Sequence, residues 1–286
     1  MSVRFGIHVP RKHSLRATAA YAATIGCQAC QIFSGNPVGW RIGKLDERDS
    51  DAFRGEIAAA GIEPVLVHAP YIVNPASPDA ALRARARRAL TDALNRAAAL
   101  DAGPTVVHAG NHMGDGSAAG ISRAVDMIGQ ALERSAPNAG LAIEGGAGKG
   151  TEIGVTFGEL VALVAPFPPD RVGVILDTAH LWALGYDLRS ADAVTAMIDE
   201  FGAGPGIERL WGIHANDSLA ELASRRDRHA LWTKGRMGRA ALRNLMRAPE
   251  LRDLPAIFEV PGETLDFDRR RLSSMRRLDA SLNRAR

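Results

Sequence analysis

The sequence contains only two cysteines among 286 residues, Cys27 and Cys30. A structural zinc ribbon needs a second such pair, and a redox dithiol needs a flanking Trp/Pro context that this C-x-x-C lacks. Both therefore read as small core residues. Lysine is nearly as scarce, with Lys12, Lys44, Lys149 and Lys234 alone, so arginine carries almost all the basic charge behind a net charge of +3. In an Ala/Gly/Arg-rich chain that balance permits attraction to a polyanion without indicating one. No apolar run approaches the roughly 18 residues that cross a bilayer, so a membrane partner is not expected. The start, M-S-V-R-F-G-I-H-V-P, enters strand-like alternation at once, without the basic segment and apolar stretch of a signal peptide. This points to a cytoplasmic protein. A Pro/Gly/Ser-rich linker is also missing, which favours one domain over residues 1–286.

What the chain does have is regular alternation. Short apolar, β-branched runs bounded by turn residues occur as R-F-G-I-H-V, A-C-Q-I-F-S, P-V-L-V-H-A, P-T-V-V-H-A, L-A-I-E-G-G, V-G-V-I-L-D, L-W-G-I-H-A-N and A-I-F-E-V-P. Between them lie segments of helical spacing: 14–25, 46–60, 79–100, 121–134, 157–164, 191–201 and 239–247, with a closing helix in the Arg-rich C-terminal stretch. In the longest, Leu82, Ala86, Leu90, Ala93, Leu94 and Ala97 fall on one face. Eight strand–helix units in one chain predict a (β/α)8 TIM barrel, eight parallel strands with outer helices, rather than an open doubly wound sheet.

The strand ends carry the chemistry. In V-I-L-D-T-A-H, 174–180, an apolar run stops at Asp177, and His180 follows three positions later. Alone, Asp177 suits a helix N-cap. But the pattern recurs: His8, His68, His108, Glu144, Asp177, His214 and Glu259 stand at or near the ends of the first, third, fourth, fifth, sixth, seventh and eighth runs. Barrel active sites are built at those carboxyl ends. Several carboxylates gathered at one mouth need compensating cations, and histidine with Asp/Glu and no thiolate suits Zn²⁺, with Mn²⁺ or Fe also compatible. Later loops add His180 and the pair Asp227 and His229, more ligands than one ion uses. His13, His112 and Glu152 lie away from strand ends and are read as structural.

These residues resemble a known family, the endonuclease IV-type apurinic/apyrimidinic endonucleases, which are DNA-repair enzymes with a barrel fold and three zinc ions. The resemblance runs from the first strand to the eighth through V-H-A-P-Y-I-V-N (67–74), V-V-H-A-G (106–110), A-I-E-G-G-A-G-K-G (142–150), I-L-D-T-A-H-L-W-A-L-G-Y-D (175–187), I-H-A-N-D-S (213–218), D-R-H (227–229) and F-E-V-P (258–261). It implies that His68, His108 and Glu144 hold one zinc. A second would be completed by Asp177, His214 and Glu259, with Glu144 shared, and a third held by His180, Asp227 and His229. It further implies hydrolysis of the phosphodiester 5′ to an abasic site by metal-activated water, leaving a 3′-hydroxyl and a 5′-deoxyribose phosphate. Glu144 or Glu259 would orient the water, blocked 3′ ends would also be trimmed, and the protein would act as a monomer.

Double-stranded DNA containing abasic sites is the implied partner. Asn36, Trp40, Tyr71 and Ile72 match the family's stack-probing loops, and Arg228, among the basic residues Arg225, Arg226, Lys234, Arg236 and Arg239, is placed to meet phosphate. Three departures stand out. Val38 occupies a loop position where relatives often carry an arginine wedge, T-K-G-R-M-G (233–238) replaces a more glycine-rich stretch, and Ala109 replaces a common proline. A divalent-metal sugar isomerase or epimerase on the same barrel is the alternative, since Glu144, Asp177, His214 and Glu259 alone would serve it.

Overall fold

Strand and helix alternate along the chain because the apolar runs are short and separated by amphipathic segments. The computed structural model describes residues 3–260, 262 and 264–284. Pro261 of the F-E-V-P motif, and the last two residues of the expected C-terminal tail, lie outside them. In chain order the strands are β1 (Arg4–Ile7), β2 (Cys30–Ile32), β3 (Val65–His68), β4 (Thr105–His108), β5 (Leu141–Glu144), β6 (Val172–Asp177), β7 (Leu210–His214), the two-residue strands β8 (Asp217–Ser218) and β9 (His229–Ala230), and β10 (Pro255–Phe258). All but β8 and β9 form one eight-stranded sheet in the order β1-β10-β7-β6-β5-β4-β3-β2. Its ladders are parallel, and a parallel bridge between His8 and Gln31 joins β1 to β2 and brings the ring round. The expected (β/α)8 barrel is therefore present, with β8 and β9 as an antiparallel ribbon on the loop after β7.

Helices α1 (Leu15–Ile25), α2 (Glu47–Ala60), α3 (Ala80–Ala99), α4 (Ser117–Glu133), α5 (Phe157–Val164), α6 (Thr178–Leu184), α7 (Ala191–Ala203), α8 (Gly238–Arg247) and α9 (Leu265–Arg284) follow the strands. Side chains of Ser14, Asp46, Asp79, Thr156 and Ser190 accept from the first amides of α1, α2, α3, α5 and α7, satisfying donors that have no intrahelical partner. Two details depart from the periodicity. Helix α4 begins ahead of Ile121, because Gly114 and Gly116 donate to His112 Nδ1 and turn the chain into the helix early. Leu82, in the first turn of α3, is exposed, whereas Ala86, Leu90, Ala93, Leu94 and Ala97 are buried as the pattern requires. Both cysteines are buried core residues, and burial pushes the Cys27 thiol up to about 12. No described helix is long and apolar enough to cross a membrane.

The core divides by strand parity. Ala29, Leu66, Val106, Ala142, Ile175 and Ile257 form an inner cluster filling the barrel, while Val65, Val67, Val107, Leu141, Ile143, Val174, Leu176, Ala256 and Phe258 belong to the larger cluster between sheet and helices. Successive strand residues face opposite sides. Two positions beyond an inner residue therefore point to the barrel axis again, one layer closer to the mouth.

Candidate metal centre

That parity places the strand-end residues. Leu66 leads to His68, Val106 to His108, Ala142 to Glu144, Ile175 to Asp177 and Ile257 to Glu259, so each candidate ligand inherits the inward direction of a residue in the apolar plug beneath it. Register then sets them side by side, with His108 opposite Glu144 and Asp177 opposite His214. The ribbon adds the remainder: β9 begins at His229 and pairs with β8, which holds Asp227 and His229 over the mouth. Helix α6, too short to register as a helical period, turns His180 back over the same space.

All nine strand-end and loop residues singled out as ligands converge. Glu144 is the hub. Its Oε2 lies 3.5 Å from His68 Nε2 and 3.8 Å from His108 Nε2, and its Oε1 lies 3.1 Å from His214 Nδ1 and 3.6 Å from His180 Nδ1. Glu259 Oε2 is 3.4 Å from His214 Nδ1 and 3.8 Å from His229 Nδ1. His229 Nε2 sits 3.4 Å from Asp177 Oδ2 and 2.9 Å from Asp227 Oδ1, while His180 Nε2 is 3.6 Å from Asp227 Oδ2. Three sets have ligand atoms mutually close enough to hold an ion: His68, His108 and Glu144; Glu144, Asp177, His214 and Glu259; and Asp177, His180 and His229. The third set brings Asp177 to the two imidazoles that Asp227 also approaches, so Asp177 faces two of the three positions.

Donor chemistry fits cations. His68 Nε2, both oxygens of Glu144, His214 Nδ1 and His229 Nε2 are buried without a hydrogen-bond partner. Buried polar atoms are ordinarily paired, and partnerless atoms aimed at one another across 3–4 Å suit a shared cation. The outward ring nitrogens, by contrast, are engaged. His68 Nδ1 donates to Ala69 O (2.6 Å) and His180 Nδ1 to Gly145 O (2.8 Å), which leaves each inward Nε2 its lone pair. Asp177 does two jobs: Oδ1 caps α6 by accepting from Ala179 N and His180 N, while Oδ2 faces the centre.

The electrostatics agree. Burial alone would raise Glu144, yet His108, His214 and His68 hold it well below its usual range. Burial likewise opposes ionisation of Glu259 and Asp227, but His214 and His8 depress the first and His180 and His229 the second. His214 and His229 rise to about 9 against the effect of burial, driven by Glu259 and Glu144 around one and Asp177 and Asp227 around the other. Above the cluster opens a cavity of about 450 Å³ walled by Tyr71 and floored by His108, Glu144, His180, Asp227, His229 and Glu259.

A family model described as "Xylose isomerase-like TIM barrel" matches residues 19–281. The chain is 37% identical to the "Probable endonuclease 4" of Methanoculleus marisnigri, over 96% of this chain and 99% of that one, and 36% identical to the "Probable endonuclease 4" of Chloroflexus aurantiacus over 96% and 98%. The chain belongs to the endonuclease IV family. Among solved structures, the endonuclease IV of Thermus thermophilus superposes with a TM-score of 0.85 at 31% identity, covering 96% of this chain and 98% of that one. A D-tagatose 3-epimerase-like protein shares the fold, with a TM-score of 0.72 at 18% identity over 99% of both chains.

The residues expected to contact DNA are mostly exposed. Tyr71 is exposed and packs edge-on against Phe33, with ring centroids 5.2 Å apart, and Ile72 beside it is half-buried. Asn36, Trp40 and Arg228 are exposed, and Asn36 Oδ1 accepts from Val38 N at 3.1 Å. Arg225, Arg226, Lys234, Arg236 and Arg239 are also exposed, with Arg236 turned 2.7 Å from Glu221. His112 serves its turn, and Glu152 accepts from Lys149 N in the loop after β5.

Two residues of the endonuclease IV centre escaped the sequence reading. Gln31, fully buried on β2, donates to Glu259 Oε1 (2.9 Å) and contacts His8 Nδ1 (3.0 Å) and His214 Nε2 (2.9 Å). Asn216 donates to Asp177 Oδ2 (2.7 Å) and Glu259 Oε2 (3.1 Å). A signal for Gln31 existed: it stands two positions beyond Ala29, so it continues the inner parity and is a polar residue inside an apolar run.

Proposed function

We propose that the protein is a metal-dependent AP endonuclease that hydrolyses the phosphodiester 5′ to abasic sites in duplex DNA, leaving a 3′-hydroxyl and a 5′-deoxyribose phosphate, and that it trims blocked 3′ ends. The observation that carries this reading is the convergence of eight side chains into three interlocked sets, with Asp227 beside the third, in which His68 Nε2, both Glu144 oxygens, His214 Nδ1 and His229 Nε2 lack hydrogen-bond partners. We assign His68, His108 and Glu144 to one zinc, Glu144, Asp177, His214 and Glu259 to a second, and His180, Asp227 and His229 to a third. Bound there, divalent ions supply hydroxide near neutral pH and positive charge to offset the phosphoryl and departing oxygens.

The chain's own residues do the rest. Glu144 and Glu259 are the catalytic carboxylates: both face the shared space and are held ionised, so either can align a water for in-line attack. Gln31 and Asn216 fix Glu259 and Asp177 in direction. Tyr71, Ile72, Asn36 and Trp40 at the rim probe the gap left by a missing base, and Arg228 meets phosphate. An isomerase needs only the quartet Glu144, Asp177, His214 and Glu259. It gives no account of His68, His108, His180, Asp227 and His229 gathered beside it.

The test is a duplex carrying one tetrahydrofuran abasic analogue, which cannot undergo β-elimination, with metal analysis of the same preparation. A hydrolytic nick that chelation removes, and that Glu144→Gln and Glu259→Gln each nearly abolish in folded protein, is the expected result. Undiminished cleavage in both variants, or an intact duplex with a preparation holding a full metal complement, rejects the assignment.

A further inference from the structure

Exposed large apolar side chains are not spread evenly over this molecule. Val38, Trp40 and Ile42 lie within a few residues of one another, 69%, 36% and 48% exposed, and Tyr71 stands beside them at 55%. The first three occupy the segment between β2 and α2, which contains no helix or strand. Such a loop would be expected to fold its apolar side chains onto the protein unless something holds its backbone out.

Arg96 on α3 supplies that hold. It is a buried arginine whose guanidinium bonds converge on one place: Nε donates to Asp92 Oδ2 one turn back (2.6 Å), Nη1 donates to Ser34 O (3.0 Å), and Nη2 donates to Gly43 O. A single guanidinium thus grips both ends of the 34–43 loop, closing it at the neck, and Asp92 fixes the angle of the fork. Between the ends, Tyr71 N donates to Pro37 O at 2.9 Å, tying this loop to the one after β3. Only a planar group with several fixed donors can span two carbonyls in this way, whereas an ammonium is a single point. None of these contacts reaches a candidate metal ligand.

We propose that Arg96 is a positioning residue for duplex recognition: by fastening Ser34 and Gly43 to α3, it presents Val38, Trp40 and Ile42 in the shape in which they meet damaged DNA. The inference rests on the nuclease reading and deepens it. A loop ordered before binding spares the complex the entropy of immobilising it, so losing the clamp weakens binding and leaves the chemistry at Glu144 and Glu259 as it was.

The experiment compares Arg96→Gln, Arg96→Lys and Asp92→Ala with the unaltered metal-loaded protein on the tetrahydrofuran duplex. Arg96→Gln raises KM about tenfold with kcat within about twofold, the size expected when two or three side chains must be ordered on binding. Bound metal is unchanged. Arg96→Lys does not restore KM, because charge without the fork is insufficient, and Asp92→Ala shifts KM in the same direction by about threefold. Acrylamide quenching of tryptophan fluorescence rises in Arg96→Gln, reporting a freed Trp40, since Trp182 and Trp232 are buried and the half-buried Trp211 packs against the inner barrel cluster, away from the clamp. An unchanged KM in Arg96→Gln, rescue by lysine, or a parallel fall of kcat and metal content overturns the proposal. Should Arg96→Gln not fold, Asp92→Ala decides it. A wild-type protein that does not nick the duplex defeats the nuclease reading instead, while the quenching comparison still tests the clamp.

Discussion

Replacing Gln31 with leucine probes the centre without touching a candidate ligand. The Glu259 carboxylate can only accept, so the Gln31 amide nitrogen must face it at 2.9 Å, which turns Gln31 Oε1 towards His214 Nε2. His214 then carries its proton on Nε2 and offers the bare lone pair of Nδ1 to the shared space. The second amide N–H goes to His8 Nδ1 at 3.0 Å. Leucine matches the volume and removes all three hydrogen bonds, leaving the buried His214 N–H and His8 Nδ1 unpaired, while Glu259, which borders the cavity, can turn to water. At about 1–3 kcal/mol for each buried group so stranded, the variant loses roughly 2–6 kcal/mol, shared between fold stability and ligand alignment. Outer contacts of this kind typically change metal affinity or activity by about 10–100-fold. Titration of bound zinc against a competing chelator should show one ion, that of Glu144, Asp177, His214 and Glu259, released first in Gln31→Leu, with abasic-duplex cleavage falling in step. Metal affinity and cleavage both within about twofold of the parent would refute the tautomer argument.

Two other expectations follow from the charges. In metal-free protein, His214 and His229 titrate at about 9, above the ~6.5 of an unfolded histidine, so their contribution to stability is complete below about pH 6.5 and fades as pH rises through 9. Glu144, Glu259 and Asp227 are depressed, so theirs is present above about pH 4.5 and lost on acidification. The Tm of chelated protein should therefore decline from about pH 6.5 towards 9.5, while added zinc releases protons and flattens that alkaline limb; a chelated Tm that climbs from pH 6.5 to 9 contradicts the cluster. Asp217→Ala removes a fully buried carboxylate that accepts from five backbone amides, those of Ser218, Thr233, Gly235, Met237 and Gly238. It should cost at least about 3 kcal/mol by denaturant midpoint and loosen the ion held by His180, Asp227 and His229; an unmoved midpoint would remove Asp217 from its place as organiser of that loop.

The departures in the 233–238 stretch are better understood through Asp217 than through the glycines themselves. A Cβ on Gly235 would lie 2.4 Å from Asp217 Oδ1 and 2.5 Å from Ser218 O, so this glycine is required by close approach. Lys234 and Arg236 on either side are exposed; the loop backbone is shaped chiefly by the carboxylate beneath, with the Arg236 side chain adding bonds to Leu219 O and Glu221. Sequence could not reveal this: Asp217 sits in the quoted I-H-A-N-D-S motif, where the histidine drew the chemical reading, and its partners are backbone amides that any residue but proline provides.

What the sequence made legible was whatever strand parity and strand termination encode. The eight apolar runs became the eight barrel strands because a buried parallel strand needs such a run, and His68, His108, Glu144, Asp177 and Glu259 announced themselves as polar residues breaking those runs where the axis is next faced. His180, Asp227 and His229 had no such position; they stood out only as surplus ligand-type residues in later loops, and the resemblance alone gave them an ion of their own, since α6 and the ribbon that deliver them are shorter than any periodicity can report. Gln31 and Asn216 were missed for a different reason. They neither ionise nor bear a ligand's usual identity, and their role exists only once five strand ends meet: the Gln31 amide donates to Glu259 and His8 while accepting from His214, and that requirement is written in three dimensions. The same logic separates the clamp at Arg96 from the many arginines around it. In α3 it reads as one more helical cation, and only the fold brings Ser34 O and Gly43 O to the two arms of its guanidinium.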